Sequence, residues 1–186
     1  MFEIRKTPIP GCLEIIPKIH SDARGTLIKT IHRGTFLNLG LPTDFQEQFY
    51  STSGEGVLRG LHFQRPPHDH SKLVYCTEGE IFDAVVDLRV GSPTFGLHCA
   101  TVISAENGVM LYAPPGLAHG FCVLGKRATI VYNVTTCHAS EFDDGILWNS
   151  AGIDWPVKMP VLSKRDAALC PLDRFRSPFV FSPDAS

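Results

Sequence analysis

Short apolar segments interrupted by turn residues recur along most of the chain, and this pattern constrains the fold more than any other feature. Val, Ile, Thr and aromatic residues are concentrated in many brief stretches from residue 2 to residue 136, and clusters of Gly, Pro, Asp and Asn separate them. Many short strands at such spacing are typical of a β-sandwich or β-barrel, and not of a parallel α/β sheet. The sequence therefore predicts an all-β fold, with short peripheral helices at 33–41 and 163–169.

Length and charge narrow the possible functions. A chain of 186 residues with 44% apolar and 19% charged residues is sufficient for one domain, which we place at 1–186. The formal net charge is −2, and Lys and Arg are scattered along the sequence. A protein that binds nucleic acid usually carries a concentrated basic surface, so no nucleic-acid partner is predicted. Any anionic ligand must be held by a few local residues.

The cysteines and the apolar runs indicate a cytoplasmic protein. Six cysteines lie far apart without a Cys-x-x-Cys pair, and the N-terminal segment lacks the apolar core of a signal peptide. We expect reduced thiols, of which Cys76, Cys99 and Cys122 fill small apolar positions in strands. No apolar run is long enough to cross a bilayer, so no membrane partner is predicted.

One strand places a histidine where an apolar residue is usual. In "VLRGLHFQ", residues 57–64, alternation puts His62 on one face with Leu58, Gly60 and Gln64. Arg59 falls on the opposite face, and it can join His62 only through a β-bulge near Gly60 or by serving a neighbouring subunit. A lone inward histidine is more often a hydrogen-bonded core residue than a catalyst.

Two further polar side chains share faces with apolar residues. Alternation in "ATIVYNVTT" places Tyr132 between Ile130 and Val134, and in "SKLVYC" it places Lys72 beside Val74 and Cys76. A buried unpaired ammonium group is costly, unless Lys72 lies at a strand end from which its amine reaches water. A His, a Tyr and a Lys that point into one cavity are difficult to explain as core residues.

A turn motif further along the chain indicates the architecture. The stretch "GVMLYAPPGLAHG", residues 108–120, resembles the second signature motif of the cupin double-stranded β-helix. The first motif would need a glutamate after the pair His68 and His70, but Val74 and Tyr75 stand there. A metal site is therefore poorly supported, although a metal-dependent cupin oxygenase or isomerase would use His62, His68, His70 and His119.

Several motifs in order carry a more particular resemblance. The segments "GVLRGLHFQ", "KLVYCTEGEIFDAVVDLRVGSPTFG", "APPGLAHGFCVL", "VYNVTT", "GILWNSAGIDWP" and "LSKRDA" resemble the nucleotide-sugar 3,5-epimerase family typified by dTDP-4-dehydrorhamnose 3,5-epimerase. The resemblance runs from about Lys6 to Asp173. It implies a cupin-type jelly roll, a homodimer, no metal, no cofactor, and a nucleotide-diphosphate 4-keto-6-deoxy sugar as the small-molecule partner.

The resemblance also assigns roles to individual residues. The catalytic base falls on His62, the residue that pairs with it on Asp166, the acid on Tyr132, and the lysine near the substrate carbonyl on Lys72. By itself, Asp166 is equally well understood as the end of a capping box that begins at Ser163. Residues predicted to contact the nucleotide sugar are Arg24, Lys29, Glu47, Phe49, Arg59, His119, Asp143 and Arg165.

The chain departs from the family pattern mainly at substrate contacts. Lys29 replaces the usual acidic residue, Glu47 to Phe49 replace a Gln-Asp-Asn stretch, and Cys137 and His138 stand at aromatic positions that help to hold the base. The nucleotide, the sugar, and the choice between C3, C5 or both therefore stay open.

The residue types suit the chemistry that the family implies. Deprotonation beside a 4-keto group gives an enolate, and an imidazole with a pKa of about 6.5 can accept such a proton near neutral pH. The function predicted is cofactor-independent epimerisation of a 4-keto-6-deoxy nucleotide sugar. A non-catalytic sugar-binding cupin is the other alternative, and the presence of both His62 and Tyr132 argues against it.

Overall fold

The chain folds into two facing antiparallel sheets, here described from a computed structural model for residues 2–183. The strands of these residues are β1 (Phe2–Lys6), β2 (Leu13–Pro17), β3 (Ile19–Asp22), β4 (Gly25–Ile28), β5 (Glu47–Gly54), β6 (Leu58–Gln64), β7 (Lys72–Glu78), β8 (Glu80–Asp87), β9 (His98–Ser104), β10 (Met110–Ala113), β11 (Leu117–Val123), β12 (Arg127–Val134) and β13 (Asp143–Gly145). The six-stranded sheet has the order β1-β2-β10-β7-β12-β5, and the five-stranded sheet has the order β13-β6-β11-β8-β9. Strands β3 and β4 form a separate hairpin.

The helices are short and peripheral, as the sequence predicts. Helix α1 spans Arg33–Asn38, and 3-10 helices span Asp166–Ala168 and Leu172–Arg174. Helix α1 buries Phe36 against the outer face of the six-stranded sheet. Within residues 2–183, every helix falls short of the length and apolarity needed to traverse a bilayer.

The main core lies between the two sheets, and strand alternation assigns residues to it. On β7, Val74 and Cys76 belong to this core, whereas Leu73 and Tyr75 pack on the outer face of the sheet beside α1. The outer face of the five-stranded sheet is covered by the C-terminal part of the chain, including Trp155 and Phe179. Both faces of that sheet are thus apolar, which explains why β11 is buried along its whole length.

The predicted thiol state agrees with this arrangement. All six cysteines are free. Cys76, Cys99 and Cys122 lie on β7, β9 and β11, where the sequence analysis expects small apolar side chains.

Candidate active site

A pocket of about 350 Å³ opens between the two sheets. Its size lies within the range of small-molecule sites. The six-stranded sheet contributes side chains from β5, β7 and β12, and the five-stranded sheet contributes side chains from β6, β11 and β13. The lining residues are Glu47, Phe49, Ser51, Arg59, His62, Phe63, Gln64, His70, Lys72, His119, Phe121, Tyr132, Val134, His138, Asp143 and Arg165.

A β-bulge in β6 brings Arg59 to the same side as His62. Strand β11 pairs His119 with His62 and Phe121 with Arg59, so two steps along β11 match three steps along β6. Both Arg59 and His62 line the pocket. Leu58 instead packs in the outer core, so the prediction that Leu58 and His62 share a face is wrong. The extra residue reverses the alternation between them.

Two glycines permit the close approach of β6 and β11 at this bulge. Gly60 has a φ of 135°, and a Cβ there would lie 2.6 Å from the Cα of Gly120. A Cβ on Gly120 would lie 2.7 Å from the carbonyl oxygen of Arg59. Any larger residue at either position would push the two strands apart.

His62 is held by a buried carboxylate. Its Nε2 lies 2.8 Å from Oδ1 of Asp166, whose other oxygen accepts a hydrogen bond from the Gly60 amide. Burial alone would raise the pKa of Asp166, but the hydrogen bond and charge of His62 and the hydrogen bond from Gly60 together lower it. A charged Asp166 holds the imidazole in a fixed orientation. The amide of Asp166 also donates to Ser163 Oγ, so this aspartate both pairs with the base and ends the predicted cap.

Tyr132 enters the pocket from the facing sheet. Its hydroxyl lies 3.3 Å from Ser51 Oγ, and its ring stacks on Phe49 with centroids 4.7 Å apart. Burial raises the pKa of Tyr132, while the Ser51 hydrogen bond acts in the opposite direction. The phenol therefore keeps its proton at neutral pH and is available as a donor.

Lys72 provides a cation in the same pocket. Its ammonium group donates to the carbonyl oxygen of His62 at 2.9 Å. Burial lowers the pKa of Lys72 to about 8, although the charges of Asp143 and Asp83 oppose the shift. The amine is still mostly protonated at pH 7, where it can stabilise negative charge on a bound oxygen.

His119 belongs to a second buried histidine–carboxylate pair. Its Nε2 lies 2.8 Å from Oδ2 of Asp83 on β8, and both side chains are almost fully buried. Oδ1 of Asp83 has no hydrogen-bond donor among the described residues. The ring of His119 meets the edge of Tyr132 with centroids 6.2 Å apart. Of this pair, His119 lines the pocket, and Asp83 holds it from outside.

Charged residues at the mouth of the pocket are already paired. Arg165 binds Asp143 at 2.8 Å, and the Glu47 carboxylate accepts a hydrogen bond from the backbone amide of His138. Arg59 donates to Ser53, which leaves the rest of its guanidinium group for a ligand. Arg59, Lys72 and Arg165 outnumber the carboxylates of Glu47 and Asp143 among the charged residues of the lining, and this excess of positive charge suits a diphosphate.

The imidazole of His70 stays neutral. Burial, with the charges of Lys72 and His138, lowers the pKa of His70 to about 3. Its Nδ1 lies 3.2 Å from Gln64 Nε2 and 3.1 Å from Thr136 Oγ1. His70 therefore shapes the pocket as a neutral hydrogen-bonding group.

A second cavity of about 350 Å³ also reaches His62. His62 and Asp166 both line it, together with Leu162, Ser163 and Arg165. His62 thus lines both cavities, whereas Asp166 lines only the second.

Two predicted substrate contacts lie elsewhere in this chain. Arg24 forms the turn of the β3–β4 hairpin, where it is highly exposed and binds Asp22, and Lys29 follows β4. Both line a surface cavity of that hairpin instead of the pocket between the sheets. All the other predicted site residues line the pocket or, for Asp166, bind a residue that does.

The four histidines of the metal-dependent alternative have separate partners. His62 and His119 each bind a different aspartate, His70 binds Gln64 and Thr136, and His68 packs against Phe142. Across residues 2–183, no three side chains of His, Cys, Asp or Glu are arranged to hold a metal ion. The geometry gives the metal-dependent alternative no support.

The sequence analysis missed two residues of this site. Ser51 binds the phenol, and Asp83 binds His119. Asp83 had a detectable signal, because a charged residue inside the apolar run "IFDAVV" must be buried and therefore needs a partner. Ser51 had no such signal, because a serine is common in a strand.

This arrangement suits proton transfer on the two faces of one ligand. An imidazole held by a carboxylate projects from the five-stranded sheet, a protonated phenol projects from the six-stranded sheet, and an ammonium group lines the same pocket. Comparison with known proteins agrees with this chemistry. The family model described as dTDP-4-dehydrorhamnose 3,5-epimerase matches residues 6–174.

Individual relatives cover nearly the whole chain. The dTDP-4-dehydrorhamnose 3,5-epimerase of Shigella flexneri is 43% identical over 168 residues, which are 89% of this chain and 93% of the relative. The crystal structure of dTDP-6-deoxy-D-glucose-3,5-epimerase from Legionella pneumophila in complex with dTDP-4-keto-L-rhamnose is 34% identical with a TM-score of 0.93, covering 98% of this chain and 100% of that one. ChmJ, a 3′-monoepimerase from Streptomyces bikiniensis solved with dTDP-quinovose, is 32% identical with a TM-score of 0.85, covering 90% and 86%.

The agreement of these folds with the two-sheet architecture confirms the all-β, cupin-type jelly roll predicted from the sequence. The likeness extends over the sheets, the pocket and the C-terminal segment that carries Asp166. The chain belongs to the dTDP-4-dehydrorhamnose 3,5-epimerase family.

Proposed function

We propose that this chain is an isomerase that epimerises a nucleotide-diphosphate 4-keto-6-deoxy sugar at C3, C5 or both, without a cofactor. The observation that carries the proposal is the position of the two proton-transfer groups. His62 and Tyr132 line one pocket but project from opposite sheets. Inversion at carbon needs a proton to leave one face of the sugar and another to arrive on the opposite face, which this placement provides.

The reaction begins with removal of a proton beside the ketone. His62 accepts the C–H proton, and the electron pair of that bond moves onto the carbonyl oxygen to give an enolate. Asp166 stabilises the imidazolium that forms. General acid-base catalysis of this kind contributes about 10²–10⁴-fold, so stabilisation of the enolate by Lys72 must supply much of the remainder. Tyr132 then returns a proton from the other side, and its raised pKa keeps the phenol protonated until that step.

We infer that the diphosphate binds beside two cations of the pocket lining. Arg59 and Arg165 lie there and are the cations best placed to bind the phosphate oxygens. The structures from Legionella pneumophila and Streptomyces bikiniensis contain dTDP sugars. A dTDP sugar is therefore the first substrate to test, and Glu47, Phe49 and Lys29 are the positions at which the preference of this chain can differ.

We further propose that the active form is a homodimer. Arg24 and Lys29 lie on a two-stranded hairpin outside both main sheets, and Leu27 of the same hairpin exposes 57% of its surface. An apolar residue flanked by two cations on a projecting hairpin fits insertion into a second copy. In that arrangement Arg24 and Lys29 reach the partner's nucleotide. Residues 1–186 then act as one domain per subunit, in the cytoplasm, with no role for nucleic acid or membrane.

The test is incubation of the purified protein with dTDP- and other nucleotide-linked 4-keto-6-deoxy sugars in D₂O. NMR shows which carbon gains deuterium and which configuration results. We expect exchange at C3, C5 or both with the wild type, and none with His62→Ala. The Tyr132→Phe variant should lose epimerised product.

Circular dichroism and thermal melting of the variants provide the folding control. Exchange that persists at the wild-type rate in His62→Ala would remove that residue as the base. Unchanged turnover of Tyr132→Phe would place the acid elsewhere.

A further inference from the structure

One edge strand places its side chains beside two functional groups of the pocket. Strand β5 lies at the edge of the six-stranded sheet and pairs with β12. Phe49, Ser51 and Ser53 occupy alternate positions of β5, so they share one face of the sheet. Phe49 stacks on the ring of Tyr132, and Ser51 lies beside its hydroxyl group. Ser53 instead accepts a hydrogen bond from Arg59 of the facing sheet. The two serines thus contact different groups of the pocket.

The hydrogen bonding of the phenol depends on Ser51. Among residues 2–183, Ser51 is the only hydrogen-bonding partner of the Tyr132 hydroxyl group, with 3.3 Å between the two oxygens. Either oxygen can donate in such a pair. If Ser51 donates, the proton of the phenol stays free to point at a bound ligand. Both side chains line the pocket, so this proton can face the space that a sugar would occupy.

The contact can strengthen when the phenol loses its proton. A hydrogen bond from a hydroxyl group to a charged oxygen is about 2.5–2.7 Å long, so the separation of 3.3 Å leaves room for the two oxygens to approach. Burial raises the pKa of Tyr132, and the hydrogen bond of Ser51 acts in the opposite direction. Without Ser51, a phenolate would have no hydrogen-bond donor among the described residues, and an unpaired buried charge is costly.

Aromatic contacts hold the phenol ring at a fixed angle to this serine. The rings of Phe49 and Tyr132 are nearly parallel, with an interplanar angle of 14° and 4.7 Å between their centroids. The ring of His119 lies at 77° to that of Tyr132, with 6.2 Å between the centroids. These contacts restrict rotation of the phenol, so Ser51 meets its oxygen from one direction.

We propose that Ser51 is a positioning residue for the proton donor: it directs the O–H of Tyr132 towards the bound sugar and stabilises the phenolate that remains after proton transfer. The inference rests on the proposed function, because it concerns the step in which the enolate is protonated. In that step the electron pair of the enolate forms the new C–H bond, and the O–H bond of Tyr132 breaks. The phenolate accepts the hydrogen bond of Ser51 until a proton from water restores the phenol.

Removal of the serine hydroxyl changes the fate of the enolate. Protonation by Tyr132 gives the inverted sugar, whereas return of a proton from His62 gives the starting sugar. When the phenolate loses its donor, the first route becomes slower and the second is unaffected. Loss of Ser51 therefore favours the starting sugar, whereas a general disturbance of the pocket would slow both routes.

The test compares the wild type with Ser51→Ala in D₂O, with a 4-keto-6-deoxy nucleotide sugar as the substrate. NMR measures deuterium in the epimerised product and in the recovered starting sugar. We expect kcat for epimerisation to fall about 10–100-fold in Ser51→Ala, the effect of losing one hydrogen bond to a charged group, whereas KM should change less than about 2-fold. The ratio of deuterium in the starting sugar to deuterium in the product should rise.

Neighbouring positions on β5 provide matched controls. Thr52 faces the other side of the sheet, where its hydroxyl group binds Thr129, so Thr52→Ala should behave like the wild type. Ser53→Ala removes the partner of Arg59 and should raise KM without changing the deuterium ratio. Ser51→Thr keeps the hydroxyl group and should recover most of the lost kcat. Ser51→Cys keeps the size of the side chain but donates weakly, and it replaces Ser51→Ala if that variant folds poorly.

Failure of this inference is distinguishable from failure of the proposed function. A wild type that takes up no deuterium refutes the epimerase activity. If the wild type takes up deuterium but kcat and the deuterium ratio of Ser51→Ala stay within about 2-fold of its values, the role of Ser51 alone is overturned. An equal loss of deuterium from both sugars, which Ser51→Thr does not restore, also overturns it.

Discussion

At the scale of single residues, protonation state determines what each group of the pocket can do. Tyr132 keeps its proton because burial raises its pKa, and Asp166 gives up its proton because His62 and the Gly60 amide stabilise the charged form. Lys72 lies between these extremes, with a pKa of about 8. Its charge therefore changes close to physiological pH.

The lowered pKa of Lys72 predicts that the reaction becomes slower at alkaline pH. As the pH rises through about 8, the ammonium group loses its charge, and stabilisation of the enolate is lost with it. We expect kcat/KM of the wild type to fall in that range. In Lys72→Arg the guanidinium group stays charged, so the remaining activity should persist to higher pH. Lys72→Met should lose about 10²–10³-fold at every pH.

The pH dependence of the free energy of unfolding provides an independent measurement of the protonation of Lys72. The unfolded chain holds the lysine proton up to a pKa of about 10.4, whereas the folded protein releases it near 8. Between these values the unfolded state binds more protons, so the free energy of unfolding should rise with pH in the wild type and less so in Lys72→Met. If the fall of kcat/KM near pH 8 persists in Lys72→Arg, the loss of a proton from another residue must cause that fall.

At the scale of elements, the β6 bulge decides which side chains meet in the pocket. Strict alternation would have placed Arg59 outside it, and the extra residue brings it beside His62. The bulge depends on Gly60, which has a positive φ and faces Gly120 without room for a Cβ. The geometry of the pocket therefore rests on two residues that have no side chain.

Gly60→Ala tests this dependence. The new Cβ would meet Gly120, and the backbone would be strained, so we expect the free energy of unfolding to fall by about 2–4 kcal/mol. The same change at Gly125, where no atom lies within 4 Å, is the control and should alter stability by less than about 0.5 kcal/mol. Urea denaturation measures both. Equal effects of the two substitutions would argue against a special role of Gly60.

Much of this element-scale arrangement could be predicted from the sequence, because period-two alternation is a strong signal. It places Tyr132 and Lys72 towards the space between the sheets, and the turn at 114–116 places His119 on a strand. The sequence alone does not decide for the β-bulge, because a glycine in a strand can equally mark the close approach of a neighbouring backbone. Pairing between distant segments, such as Asp166 with His62 or Asp83 with His119, follows from tertiary packing. Only the resemblance to a family predicted the first of these pairs, and nothing predicted the second.

At the scale of the whole molecule, the position of the β3–β4 hairpin is not explained by a single subunit. It forms a sheet separate from the two main sheets, and its cations lie apart from the pocket that they are predicted to serve. In a two-fold dimer each hairpin would serve the other subunit. Each active site would then contain residues from two chains.

Mixing two inactive variants tests this arrangement. His62→Ala removes the base from its own pocket, and Arg24→Ala removes a contact from the pocket across the interface. If each variant alone is strongly impaired, co-refolding equal amounts should restore about a quarter of wild-type activity, since half of the dimers are mixed and each has one intact site. Analytical ultracentrifugation checks that the protein is a dimer. A monomer, or no recovery in mixed dimers, would contradict the exchange of hairpins.

The second cavity at His62 has a consequence for where hydrogen atoms travel. Since the His62 imidazole lines both the substrate pocket and this second cavity, the captured hydrogen can pass to bulk water through the second cavity while the sugar occupies the first. The base is then reset before the product departs. We therefore expect an isotopic label at the reacting carbon to be washed out into the medium instead of being handed back to the same molecule.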